Sequence, residues 1–165
     1  MVLDLKSVFA DEGKEIIIDY SLDMSDTDYA GGYPLKTPVS VKGRVRSHAG
    51  TVELILDMNY TYTAPCDRCG TETVRDYGVS FERMLATSIE GEESDTIIAV
   101  PDMMLDVDEL VFTEVFLSLP RKHLCSETCK GYCLGCGKNL NEGDCECGKT
   151  DTDPRLSKLK ELLDN

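Results

Sequence analysis

The chain has no tryptophan and only 2 histidines, His48 and His123, among its 165 residues. It contains no H-E-x-x-H pair, no G-x-S-x-G elbow and no G-x-G-x-x-G turn. Those absences remove the commonest metalloprotease, hydrolase and dinucleotide signatures. No stretch approaches the roughly 18 consecutive apolar residues of a membrane-spanning helix. The opening residues, MVLDLKSVFADEG, carry an acid at Asp4 and no apolar run, so they do not read as a secretory signal. Positive charge is scarce as well. The 17 Lys and Arg face 31 Asp and Glu, a formal net charge of −14, which argues against a non-specific grip on nucleic-acid phosphates. The excess is uneven: residues 121–165 are formally neutral, so the surplus acid lies in residues 1–120. Such a body would attract basic partners. The expected setting is cytoplasmic, with no membrane, no small-molecule substrate and no enzymatic role.

What the chain does have is 8 cysteines. In a reducing compartment these serve as ligands or catalysts before they serve as disulfides. Cys66 and Cys69 lie in PCDRCG, and Cys125, Cys129, Cys133, Cys136, Cys145 and Cys147 lie in CSETCKGYCLGCGKNLNEGDCEC. Two pieces share the form C-x-x-C-G, at 66–70 and 133–137. Such a turn aims both sulfurs at one point, and its glycine permits the backbone reversal. Tetrahedral zinc takes four thiolates, so 8 cysteines make two closed sites and leave none over. A closed site has no position for water, which makes the expected metal structural. Sulfur-only tetrahedral ligation suits iron equally, so a rubredoxin-like redox protein is the alternative. A thioredoxin-type pair would sit at a helix N-terminus within a βαβ unit, whereas this C-x-x-C joins two strands.

Two groupings fit the spacing. The local one places Cys133, Cys136, Cys145 and Cys147 on one ion and Cys66, Cys69, Cys125 and Cys129 on the other. A zinc-ribbon grouping joins the two matching turns and leaves 125, 129, 145 and 147 for the second ion. Loop closure favours the local one.

The pattern of the remaining chain predicts an α+β fold. Residues 38–48 alternate apolar and polar, and residues 51–63 alternate more cleanly, with Val52, Leu54, Leu56, Met58, Tyr60 and Tyr62 on one face. Ala49-Gly50 supplies the turn of a hairpin. A third strand is expected over about 71–83, with Tyr77, Val79 and Phe81 in phase. Ile16–Ile18 is a possible short buried strand, 24–34 a loop, and 88–95 an acidic loop. Asp106 and Glu109 read as a capping box for a helix that Pro120 ends; its apolar content predicts burial on most sides. Asp153-Pro154 opens a short terminal helix striped by Leu156, Leu159, Leu162 and Leu163. The whole is expected to be an antiparallel, barrel-like sheet with a buried helix, a cysteine-rich zinc module and that terminal helix. The expected division is an antiparallel β domain with a zinc knuckle over 1–104, followed by the helix, module and terminal helix over 105–165.

One segment runs against the acidic whole. Between Tyr29 and Val52 there is no acid, and Lys42, Arg44, Arg46 and His48 share one strand face. Lys42, Arg44 and Arg46 are therefore candidates for contact with RNA phosphates. The competing expectation is that Arg46 meets Glu53 and Lys42 meets Asp57 across the hairpin. His123 is expected at the surface rather than as a ligand.

With these residues in view the chain resembles the YceD family, the large-ribosomal-RNA-subunit accumulation proteins. The resemblance is carried by DVDELVFTEVFLSLPRKHLC, CKGYCLGCGKNLNEGDCEC and DPRLSKLKELL. It implies a role in the accumulation or processing of large-subunit ribosomal RNA, without catalytic residues. The implied partner is the pre-ribosomal large subunit, met through a basic ribosomal protein or through its RNA.

Overall fold

The computed structural model describes residues 1–88 and 96–147. Most of the expected acidic loop, and the expected terminal helix, lie outside the described residues. The described residues form two compact units: one from Met1–Ala64 with Val74–Arg121, the other from Pro65–Thr73 with the described chain after Arg121. The helix expected to begin the second half thus groups with the sheet, and the Cys66–Cys69 turn groups with the other cysteines.

The first unit is built on strands β1 (Val2–Asp4), β2 (Glu15–Leu22), β3 (Val39–His48), β4 (Thr51–Pro65), β5 (Glu72–Ala86), β6 (Ile97–Ala99) and β7 (Met104–Asp106), with helices α1 (Lys6–Ala10) and α2 (Val107–Ser118). A five-stranded sheet runs in the order β2-β3-β4-β5-β6, and β1 pairs with β7 in a separate two-stranded sheet. The β3–β4 hairpin turns at Ala49 (φ 53) and Gly50 (φ 76). Positive φ at both central residues is the two-residue turn whose twist matches its strands. The alternation in β4 is realised: Val52, Leu54, Leu56, Met58, Tyr60 and Tyr62 are all buried.

Three features differ from the sequence reading. Among the described residues the sheet is open, with β2 and β6 at its edges, so it does not close as a barrel. It is also mixed, because β6 pairs parallel to β5 through Met84↔Ile97, Leu85↔Ile98 and Ala86↔Ala99. Nor is α2 buried on most sides. Its buried stripe is Val107, Val111 and Val115. Phe112, Phe116 and Leu117 remain 45%, 37% and 74% exposed. The valines recur every four residues and share one face, so they take the core while the larger side chains point away.

Tyrosine hydroxyls fix both ends of α2. At its start, Asp106 accepts the Asp108 N–H at 3.0 Å, and the Tyr20 hydroxyl donates to Asp108 Oδ1 at 2.6 Å. Burial, then this bond to a carboxylate, raise the Tyr20 phenol. At its end, the Tyr60 hydroxyl donates to the Ser118 carbonyl at 3.2 Å and the Tyr29 hydroxyl to that of Leu119 at 3.4 Å. These are carbonyls that the helix leaves unpaired.

Burial assigns different costs to two leucines. Leu54→Ala, at a site with 0% exposure, should cost about 2–5 kcal/mol in denaturant unfolding of the sheet unit. Leu117→Ala on the outer face of α2 should stay within about 0.5 kcal/mol of the parent. Comparable losses at both sites would mean that α2 is buried after all.

Candidate metal centre

The link between β4 and β5 is the turn holding Cys66 and Cys69. The Gly70 N–H donates to the Cys66 carbonyl at 2.8 Å, and the Cys66 N–H to the Thr71 carbonyl at 2.9 Å. The turn at Cys133 and Cys136 repeats this pattern bond for bond. The Gly137 N–H donates to the Cys133 carbonyl, and the Cys133 N–H to the Lys138 carbonyl, both at 2.8 Å. Gly70 (φ 64) and Gly137 (φ 73) take the left-handed conformation that closes each turn.

All eight cysteines are free thiols. They fall into two groups that could each hold a metal ion: Cys66, Cys69, Cys125 and Cys129, and Cys133, Cys136, Cys145 and Cys147. Within each group the four sulfurs lie within 4.8 Å of one another. Cys66 and Cys129 sulfurs are 3.8 Å apart, Cys69 and Cys125 3.6 Å, and Cys133 and Cys145 3.2 Å. Four thiolates at about 2.3 Å from a central ion would stand about 3.8 Å from one another. Two edges of the first group, Cys66–Cys129 and Cys69–Cys125, therefore match tetrahedral spacing, and the second group is contracted at its Cys133–Cys145 edge. The grouping is the one that chain proximity favours; the matching turns belong to different groups.

Electrostatics within the groups is uneven. Burial opposes charge on Cys66, but N–H groups of Cys125, Arg68 and Cys69 outweigh it and bring the thiol down to about 6. Cys133 is also lowered to about 6, by hydrogen bonding from Cys145 and then by the N–H groups of Cys136 and Gly135. Their neighbours move the other way. Cys125 is pushed up to about 12, chiefly by sharing its proton with Cys129, and Cys147 to about 12 by Cys136. Four crowded sulfurs cannot all carry charge unless a cation sits among them. Without one, each group holds its protons on the thiols that face an existing anion.

The surrounding framework contains residues that spacing alone did not indicate. Asn141 Nδ2 donates to Cys129 Sγ at 3.2 Å, while its Oδ1 accepts the Lys130 N–H at 2.8 Å. The Asn141 amide lowers the Cys129 thiol against the opposing effect of burial. Arg68 Nη1 donates to the carbonyls of Cys129 at 2.9 Å and Glu127 at 3.3 Å. Asp67 and His123 exchange two bonds: the Asp67 N–H donates to the His123 carbonyl at 2.8 Å, and the His123 N–H to Asp67 Oδ2 at 2.7 Å. His123 is buried rather than on the surface, with Nε2 2.5 Å from Thr73 Oγ1, and belongs to neither sulfur group. Its backbone pairs with the first turn, and that pairing draws the ring inward.

The basic stripe lies in the first unit and is largely paired. Arg46 donates twice to Glu53 Oε2, at 2.9 and 2.8 Å, and Arg44 approaches Glu15 at 3.5 Å. Lys42 stands in register opposite Asp19 on one side and Asp57 on the other.

The sequence profile described as "Large ribosomal RNA subunit accumulation protein YceD" matches residues 54–163, a span that includes both sulfur groups. The chain belongs to the YceD family. A relative from Arabidopsis thaliana, named "Large ribosomal RNA subunit accumulation protein YCED homolog 1, chloroplastic", is 26% identical over 160 residues. That alignment covers 79% of this chain and 50% of the relative, so the chain spans about half the length of this curated YceD protein. No solved structure matches the chain. Among the described residues no helix is long and apolar enough to cross a membrane.

The two turns should respond differently to one methyl group. A Cβ at Gly70 would lie 1.9 Å from the Tyr132 hydroxyl oxygen, whereas one at Gly137 meets nothing within 4 Å. Gly137→Ala should cost about 1 kcal/mol, for the left-handed backbone alone. Gly70→Ala carries the same backbone cost and must also push aside the Tyr132 hydroxyl, the outer end of a side chain that is 47% exposed, so it should cost no less in thermal unfolding and should shift the Tyr132 ring resonances. Unmoved Tyr132 resonances in Gly70→Ala would place that ring away from the first turn.

Proposed function

We propose that the protein is a non-catalytic factor that supports accumulation of large-subunit ribosomal RNA by binding, with two structural zinc ions folding its cysteine unit. The observation that carries this reading is the division of all eight cysteines into two four-sulfur groups, in a chain whose family is described by large-subunit RNA accumulation. Each group uses all its ligands on one ion, so neither keeps a position open for a reacting water. Zinc, with no redox chemistry of its own, suits a part that only has to hold shape.

The partner is the pre-ribosomal large subunit. A net charge of −14 and the pairing of Arg44 and Arg46 with carboxylates support contact through a basic ribosomal protein over contact through RNA phosphates. The setting proposed is the cytoplasm; the name of the Arabidopsis relative places that protein in the chloroplast.

Two measurements test this. The purified protein should co-sediment with large-subunit precursors at low salt; failure to do so would remove the proposed role. Elemental analysis should give two zinc ions per chain, and Cys133→Ser should lose one and keep the other. Stoichiometric iron with visible absorption would replace the structural reading with the rubredoxin-like one.

The metal should also depend on pH in a definite direction. Binding releases protons from thiols as high as Cys125 and Cys147, so apparent affinity rises with pH. As pH falls below about 6, Cys66 and Cys133 take up protons as well and metal is lost most steeply. A chromogenic chelator titration from pH 8 to pH 5 reads this; metal retention independent of pH would contradict thiolate ligation.

A further inference from the structure

Within the sheet unit, the loop after β2 and the outer face of α2 enclose a groove of about 610 Å³. Phe112 and Phe116 stack with ring centroids 6.0 Å apart, and Phe116 meets Tyr29 edge-on at 5.7 Å. Leu22 and the buried Met24 continue the apolar surface. The two phenylalanines are fixed against each other yet remain 45% and 37% exposed. Aromatic side chains held in place but left open are what the centre of a protein interface is made of.

The rim has one sign of charge. Asp23, Asp26 and Asp28 line the groove on the loop side, with Asp108 at its α2 end. Asp23 accepts the Ser25 N–H at 2.9 Å, and Asp28 the Gly31 N–H at 3.2 Å, so the loop's own backbone orients both carboxylates. The Ser25 bonds also hold the Asp23 carboxyl below its ordinary value, so it keeps its charge. Asp108 is engaged by the N-terminal ammonium and Tyr20, while Asp23, Asp26 and Asp28 make no ion pair among the described residues.

We propose that this groove is a docking site for a lysine- and arginine-rich segment of a partner protein that also carries apolar side chains. Its apolar residues would cover Phe112 and Phe116, and its cations would meet Asp23, Asp26 and Asp28. Charge decides against the other occupants. Nucleic-acid phosphates and anionic lipid would be repelled by the rim. A second copy of a chain with net charge −14 would bring acid to acid. The proposal rests on the binding role proposed above only in supposing a basic protein partner; the groove itself is tested without the ribosome.

The probe is a synthetic amphipathic 18-residue helix with leucine at every third and fourth position and lysine or arginine elsewhere. A second peptide carries glutamate in place of every cation, and a third scrambles the leucines. Amide shifts of the full chain on titration should concentrate at residues 22–28 and 108–116, with the basic amphipathic peptide only. Affinity should fall as salt rises. Phe112→Ser with Phe116→Ser should weaken binding at least about tenfold, and Asp23→Asn with Asp26→Asn and Asp28→Asn about fivefold to tenfold. The Asp set, at exposed positions, serves as the folded variant if the Phe pair destabilises α2. Shifts spread over the acidic surface, equal binding by the scrambled peptide, or unchanged affinity in the Asp set would each overturn the groove as the site. Groove binding without co-sedimentation with large-subunit precursors would leave this inference standing and remove the ribosomal role.

Discussion

The structure depends on how the second unit fills its interior. Among its described residues the buried cluster is Cys66, Cys69 and Cys129, with Leu124 and Cys125 packed against them. That is sulfur where an ordinary small domain has leucine and valine. Among the described residues that cluster is small, and small domains with few buried apolar side chains commonly rely on a metal or on disulfides. Here the thiols are free and stand in fours. Their geometry is costly for four charges alone and favourable for four charges around a cation. The matched turns, the Asn141 bond to Cys129 and the Arg68 bonds to the Cys125–Cys129 loop all serve to hold sulfurs at that spacing.

The first unit solves the same problem conventionally. Val39, Val41, Val45, Leu54, Leu56 and Met58 form a continuous apolar layer, joined by the inner valines of α2. It therefore needs no ion, and its surface is free to carry the acidic charge of the chain. The outer aromatic face of α2 is an exposed apolar patch on that surface, and it lies beside Asp23, Asp26 and Asp28, which make no ion pair among the described residues.

Much of this was legible in the sequence, and the limits are physical. Strands β3 and β4 announce themselves because one face is buried and one is wet, which stamps a period of two on the chain. The cysteine sets were legible because ligand geometry restricts spacing. The parallel partner β6 spans only Ile97–Ala99, too short to show any period. In α2 apolar residues occur on all sides, so composition predicted burial; only the fold reveals that the valines face the core and Phe112 and Phe116 do not. Asn141, Arg68 and His123 act through backbone groups and through a thiol distant in sequence, relations that no local pattern encodes. Barrel closure is not legible in alternation alone, since a hairpin does not by itself dictate how a sheet's edges meet, and among the described residues this sheet is open.

The most direct test is to treat the protein with a strong chelator and follow hydrogen exchange residue by residue. If the sulfur groups fold the second unit, a strong chelator at pH 7 should abolish amide protection over 122–147 and around Cys66–Thr71. Protection in β3 and the Val52–Tyr62 part of β4 should stay close to that of the loaded protein. Undiminished protection of the cysteine unit after complete metal removal would contradict the account.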